Sequence, residues 1–267
     1  SIVVRCAARP VRTASNTTIN GGGTQNVNSG GTVISTIIRE GGIQNVNDGA
    51  IVIDNKVVGD QVVKQGGTVA SSTVSENGAQ SVTFGGKAIA TTVSKGGAQF
   101  VRAGGVADLT AIERGGMLAL EDGATVTNIN LNSGAALMAG TDTTLNGTNA
   151  NGSFSIANKI ADSLLLESGG LLAVAADGSA NNTVVGENGT LNVAEGGMLT
   201  GVTKINDGGT LAGNVNNDGE LRITTEDSAS TVNAAINGNG TLYKEGNNTL
   251  TLSGALNQAG GTYLQSG

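Results

Sequence analysis

The 267 residues carry 14 Lys+Arg against 21 Asp+Glu, no His, one Pro, 44 Gly and only 2 % aromatic side chains. A core of bulky rings is excluded, as is imidazole acid–base chemistry, and one Pro without a Gly-X-Y period does not fit collagen. A net charge of −7 with no basic cluster argues against a nucleic-acid partner.

The chain opens with residues 1–14, where Arg5, Arg9, Arg12 and Pro10 crowd together. This stretch reads as an N-terminal cap or lead-in, because a stack of strands ends in open edges that need cover. Cys6 stands alone, so no disulfide framework is expected. Ser1–Val4 is too short for a targeting core, so a secretion signal is expected to have been removed already. No apolar run reaches the ~18 residues of a spanning helix.

From Ser15 a phrase recurs: Gly23-Thr-Gln-Asn-Val27, then Gly42–Val46, Gly59–Val63, Gly78–Val82 and Gly97–Val101, with Leu replacing Gln from Gly116 onward. The leads at 23, 42, 59, 78, 97 and 116 fall 19, 17, 19, 19 and 19 apart, the signature of a stacked repeat. Alternation within each unit has period two, β-branched residues abound, and no 3.6-residue face is sustained, so the units are strands. Gly-rich corners recur from Gly31 through Gly197, 38 residues separating Gly140 from Gly178, which reads as two units with Lys159 in place of a Gly. Identical offsets require each strand to lie on its equivalent. The expected fold is therefore all-β, a three-sided parallel β-helix over 15–267 with about 19 residues per coil and about 13 coils, right-handed by the chirality rule for parallel crossovers.

Two inward columns follow. One runs Gln25, Gln44, Gln61, Gln80, Gln99, Leu118, Leu137, Phe154, Leu172 and Leu191; the other, two residues on, begins Val27, Val46, Val63, Val82 and Val101. An inward Gln needs its amide bonded to neighbouring coils, since an unmet buried amide costs about 1–3 kcal/mol. The Val on the same face favours this internal ladder over a water-exposed corner. Paired residues such as Ser35-Thr36, Ser72-Thr73, Thr91-Thr92 and Thr110-Ala111 place one member outward, which predicts a polar, hydroxyl-lined ribbon. Asp48, Asp60, Asp122, Asp177 and Asp207 sit singly at turns, where Asp bonds its own backbone. No catalytic residue, metal site or cofactor is expected.

The segment Ile236–Gly261 carries Gly238, Gly240, Leu242, Lys244, Gly246 and Thr249-Leu-Thr-Leu-Ser-Gly254. It resembles the passenger-associated strand repeat of bacterial autotransporters, placed at about 236–267. The upstream Gly-Gly-x-Gln-x-Val units resemble the 19-residue repeats of self-associating autotransporter adhesins of the AIDA/TibA type. The resemblance implies a passenger fragment, at the bacterial surface or secreted, tethered by an outer-membrane barrel that this sequence does not contain. It implies auto-aggregation by self-association in trans, biofilm formation, adhesion to or invasion of host cells through a surface receptor, and O-linked heptose on serines. The modifying partner would be a protein heptosyltransferase using ADP-heptose. Turn serines Ser29, Ser75, Ser94, Ser133 and Ser168 are the candidate acceptors. The competing readings are a β-helical polysaccharide-processing enzyme, for which paired carboxylates are lacking, and an ice-binding solenoid, which wants Thr-x-Thr rather than Thr-Thr.

Overall fold

A computed structural model describes residues 2–4, for their backbone alone, and 12–265. Cys6 and most of the cap expected over 1–14 lie outside the described residues, although Ile2–Val4 pairs in parallel with Gln25–Val27. The chain divides into two compact units, Ser1–Ala135 and Ala136–Gly267. The fold is an all-β, right-handed parallel β-helix of about 13 turns with about 19 residues per turn.

In the first unit a regular turn has three short strands, the second and third merging into Thr125–Leu131 in its last turn. A first face stacks Thr24–Val27, Ile43–Val46, Asp60–Val63, Ala79–Val82, Ala98–Val101 and Met117–Leu120 in parallel. The second includes Gly31–Ile34, Ile51–Ile53, Thr68–Ala70, Lys87–Ile89 and Val106–Asp108. The third holds two-residue strands such as Ile37–Ile38, Lys56–Val57 and Thr73–Val74. Alternate residues point inward, so Val27, Val46, Val63, Val82 and Val101 form one fully buried column, and Val33, Val52, Val69, Ala88 and Ala107 another. Strands ~4.8 Å apart put each side chain against its own copy in the next turn. That is how side chains this small fill a core.

The 17-residue spacing between Gly42 and Gly59 is absorbed at one corner. Lys56–Val57 runs into Asp60–Val63 without the two-residue turn found in other coils, and the register Gln44↔Gln61 is kept. The corners also divide labour within each Gly pair. The first Gly carries positive φ, as at Gly66 (72°) and Gly104 (69°). The second does not, yet a Cβ on Gly67, Gly105 or Gly116 would lie 2.5 Å from the carbonyl oxygen of Val46, Val82 or Val93 one turn below. Close approach, not backbone conformation, requires glycine there.

The five glutamines stand in one file with Leu118, register Gln25↔Gln44↔Gln61↔Gln80↔Gln99↔Leu118. All five are fully buried. Each amide nitrogen donates to the Oε1 one turn earlier: Gln44 to Gln25 at 2.7 Å, Gln61 to Gln44 at 2.8 Å, Gln80 to Gln61 at 2.7 Å and Gln99 to Gln80 at 2.7 Å. Only Gln25 Nε2, at the end of the file, has no partner among the described residues.

The expected hydroxyl ribbon does not form. The inner member of each pair is buried, and several bond the ladder from 11 residues on: Asn55 Nδ2 to Gln44 Oε1 (2.7 Å), Thr91 Oγ1 to Gln80 Oε1 (3.2 Å) and Thr110 Oγ1 to Gln99 Oε1 (3.3 Å). The outward file is mixed, Thr18, Ile37, Lys56, Thr73, Thr92 and Ala111, so it lacks the regular Thr array an ice-binding surface needs.

The second unit departs from the repeat at its start. Thr144–Asn149 and Gly152–Ala157 form an antiparallel hairpin, and the latter strand also pairs antiparallel with Ile160–Asp162. Residues 141–162 are therefore not an extra pair of regular units. Ala139, not Leu137, lies opposite Leu172. The 33 residues separating those partners exceed a 19-residue coil by 14, the length of the hairpin 144–157. Phe154 leaves the expected file and faces Gly147 in the hairpin, still buried; Leu137 is buried two residues before the partner of Leu172. The stacked column is Ala139, Leu172, Leu191 and Leu211. In the strand-repeat segment Lys244 points inward above Ile223, and its amine donates to the Gly246 carbonyl.

Candidate functional surface

The predicted acceptor serines do not share one environment. Ser29, Ser133 and Ser168 are exposed at the first position of two-residue turns, each followed by a glycine of positive φ at Gly30, Gly134 and Gly169. Ser94 precedes its turn and is half-buried. Ser75, at the equivalent pre-turn place, is only 9 % exposed and is the most covered of the five. Sequence reasoning also missed a corner of a different kind, one residue between the second and third faces. It is filled by Ser35, Asp54, Ser71, Ala90, Leu109 and Asn128 with φ of 53–59°. Ser35 Oγ donates there to Asp54 Oδ2 at 3.0 Å. The signal was available, as a lone residue 12 after each lead Gly of the regular coils, but Ala and Leu among its occupants hide the left-handed requirement.

The outer faces carry ladders too. In the first unit Asn45 Nδ2 donates to Asn26 Oδ1 (2.9 Å) and Asn47 Nδ2 to Asn28 Oδ1 (2.8 Å). The second face presents Ile34, Ile53, Ala70 and Ile89 outward in register beside exposed Ile51. In the second unit the third face has an outward file of Val184, Lys204, Arg222, Tyr243 and Tyr263. These are the chain's two tyrosines; their rings stack at 5.1 Å and 20°, and the Arg222 guanidinium lies 4.6 Å over Tyr243. Arg222 also pairs with Glu245 and Glu220, whose hydrogen bonds raise its pKa.

Carboxylates tie successive turns together. Thr127 and Asn128 donate to Asp108 at 2.7 and 2.8 Å and hold its carboxyl below the ordinary 3.8. Asp177 is lowered by its bond from Lys159, which also reaches Asp142 at 3.3 Å. Glu121 is lowered by Arg102 and the Ala103 amide. Among the described residues no three His, Cys, Asp or Glu side chains gather as a metal site would require.

Small inward columns and bonded amide files define a parallel β-helical solenoid. The family model described as "Adhesin of bacterial autotransporter system, probable stalk" matches residues 146–209. The autotransporter adhesin/invasin TibA of Escherichia coli O78:H11 (strain H10407 / ETEC) is 48 % identical over 123 residues, 46 % of this chain and 12 % of TibA. Autotransporter CRAC of Citrobacter rodentium (strain ICC168) is 49 % identical over 59 residues, 22 % of this chain and 4 % of that protein. A crystal structure of a TibC-catalysed, hyper-glycosylated TibA55-350 fragment is similar over 96 % of this chain and all of that one, with a TM-score of 0.55 and 28 % identity. Over these stretches the chain is similar to autotransporter adhesins of the AIDA/TibA type. The matched regions span a small part of the length of either curated relative.

Proposed function

We propose that this chain is the adhesive, non-catalytic stalk of a surface-displayed or secreted passenger, held at the outer membrane by a barrel outside this sequence. It promotes auto-aggregation, biofilm formation and attachment to or invasion of host cells, and it carries O-linked heptose on serine. The observation that carries this reading is the match along 96 % of the chain to a TibA fragment glycosylated by TibC. Residues 15–267 act as the stalk, with the strand repeat at 236–267 and residues 1–14 as lead-in.

Modification joins the Ser Oγ to the anomeric carbon of the heptose, with ADP leaving and the hydroxyl proton lost. Accessibility ranks Ser29, Ser133 and Ser168 first, Ser94 next and Ser75 last. Weak contacts of about 0.5–1.5 kcal/mol each, multiplied over many copies on a cell, provide self-association by avidity. Two measurements test the reading. Co-expression with a TibC-type heptosyltransferase should raise the intact mass in heptose increments, with glycopeptides at the three exposed serines and none at Ser75. Cells displaying the chain should clump and settle; an unchanged mass removes the glycosylation, and dispersed cells remove the self-association.

A further inference from the structure

The hairpin in the second unit creates a site that the repeat alone would not. Its strand Gly152–Ala157 runs beside Ile160–Asp162 only as far as the register Ser155↔Asp162. The main chain then turns its corner at Ser163, φ 59°, into the third face. The hairpin does not turn with it. Its outer half pairs only with its own other strand, and its tip is tied back where Asn149 Nδ2 donates to the Ser163 carbonyl at 3.2 Å. Between the tip and the outward side of the third face lies a cleft of about 500 Å³. Asn151, Asn182, Val184, Val202, Lys204 and Asn206 line it.

That volume lies within the range of small-ligand sites. The side-chain amides of Asn151 and Asn206 hold no hydrogen-bond partner among the described residues, and Asn182 uses only its Oδ1, on the Val202 amide at 3.1 Å. An amide both donates and accepts, as a sugar hydroxyl does. Val184 and Val202, half-buried, offer an apolar floor for a ring's C–H face. No carboxylate lines the cleft.

The charge is the discriminating feature. The second unit has four cations. Lys159 is held by Asp142 and Asp177, Arg222 by Glu220 and Glu245, and Lys244 by a carbonyl. Lys204 is exposed and, among the described residues, has no acidic partner. In a chain of net charge −7, the cation of this unit that has no acidic partner among the described residues stands in the cleft beside the hairpin tip.

We propose that the cleft between the 144–157 hairpin and the third face binds a saccharide bearing a carboxylate, the Lys204 ammonium pairing the carboxylate and the asparagines the hydroxyls. This deepens the adhesion reading by naming the chemistry of a ligand on an opposing surface. The test is an amide NMR titration of the 267-residue chain with sialyllactose, with trigalacturonate and with lactose. Either acidic sugar should shift Asn151, Asn182, Lys204 and Asn206, and whichever binds identifies the source of the carboxylate. Lys204→Met should weaken that binding about tenfold and leave lactose unaffected, while Lys204→Arg should retain it. No shift at these residues with either acidic sugar, or equal binding of lactose that ignores Lys204→Met, overturns the proposal. Settling of cells displaying Lys204→Met is read in parallel and should match wild type, so a failed titration with normal settling removes the cleft and leaves self-association standing.

Discussion

The two units solve one packing problem with different chemistry. In the first, a regular coil places amides in its core and bonds each to the next turn and, through Asn55, Thr91 and Thr110, across the core. In the second, the corresponding column is Ala139, Leu172, Leu191 and Leu211, and the coil tolerates a 14-residue excursion. A buried amide is cheap only where its neighbours are amides. A Leu column has no such requirement, so it survives interruption of the repeat. Regularity is needed where the core is polar and can be relaxed where it is apolar, and the irregular unit is the one that gains a cleft.

The sharpest way to break this comparison is to exchange the core residues. Leu191→Gln puts an amide between Leu172 and Leu211 with no partner in the file and should destabilise by about 3–5 kcal/mol. Leu118→Gln can donate to Gln99 and should cost only about 1–2 kcal/mol. Equal losses in chemical denaturation would show that file position is irrelevant. Next in size, Gly105→Ala should cost about 2–3 kcal/mol, because its Cβ would meet the Val82 carbonyl at 2.5 Å. The second unit shares this constraint at Gly209, where a Cβ would lie 2.7 Å from the Val185 carbonyl oxygen, so Gly209→Ala should cost a similar amount if the corner rule spans both core types. A neutral melt for either substitution would overturn it.

Leu109 is 54 % exposed in the left-handed region at 55°, a place Asn128 fills one turn on. Leu109→Asn should therefore stabilise by about 0.5–1 kcal/mol, read as a raised melting midpoint. The smallest effect is that of pH. Asp108 and Glu121 in the first unit and Asp177 in the second all have folded pKa values below their ordinary ones. Their contribution is fully present above the unfolded pKa and is lost as pH falls through the folded one. Stability should decline below about pH 4, and Asp108→Asn with Asp177→Asn should flatten that decline. An unchanged slope in the double variant would remove these ties as its source.

The amino-acid order alone determined the period, the strand identity and the inward files of Gln and Val, because side-chain direction alternates locally and parallel stacking copies each residue type onto itself. It also marked the corners, but not that the second glycine of a pair answers to a carbonyl one turn away. Only the tertiary structure decided which hydroxyls point into the core, that Ser75 is covered, and that Ala139 rather than Leu137 meets Leu172. The hairpin and its cleft belong to the same class. Each depends on what lies across the core or beyond a corner, and a repeat read along the chain specifies neighbours in the stack but not across it.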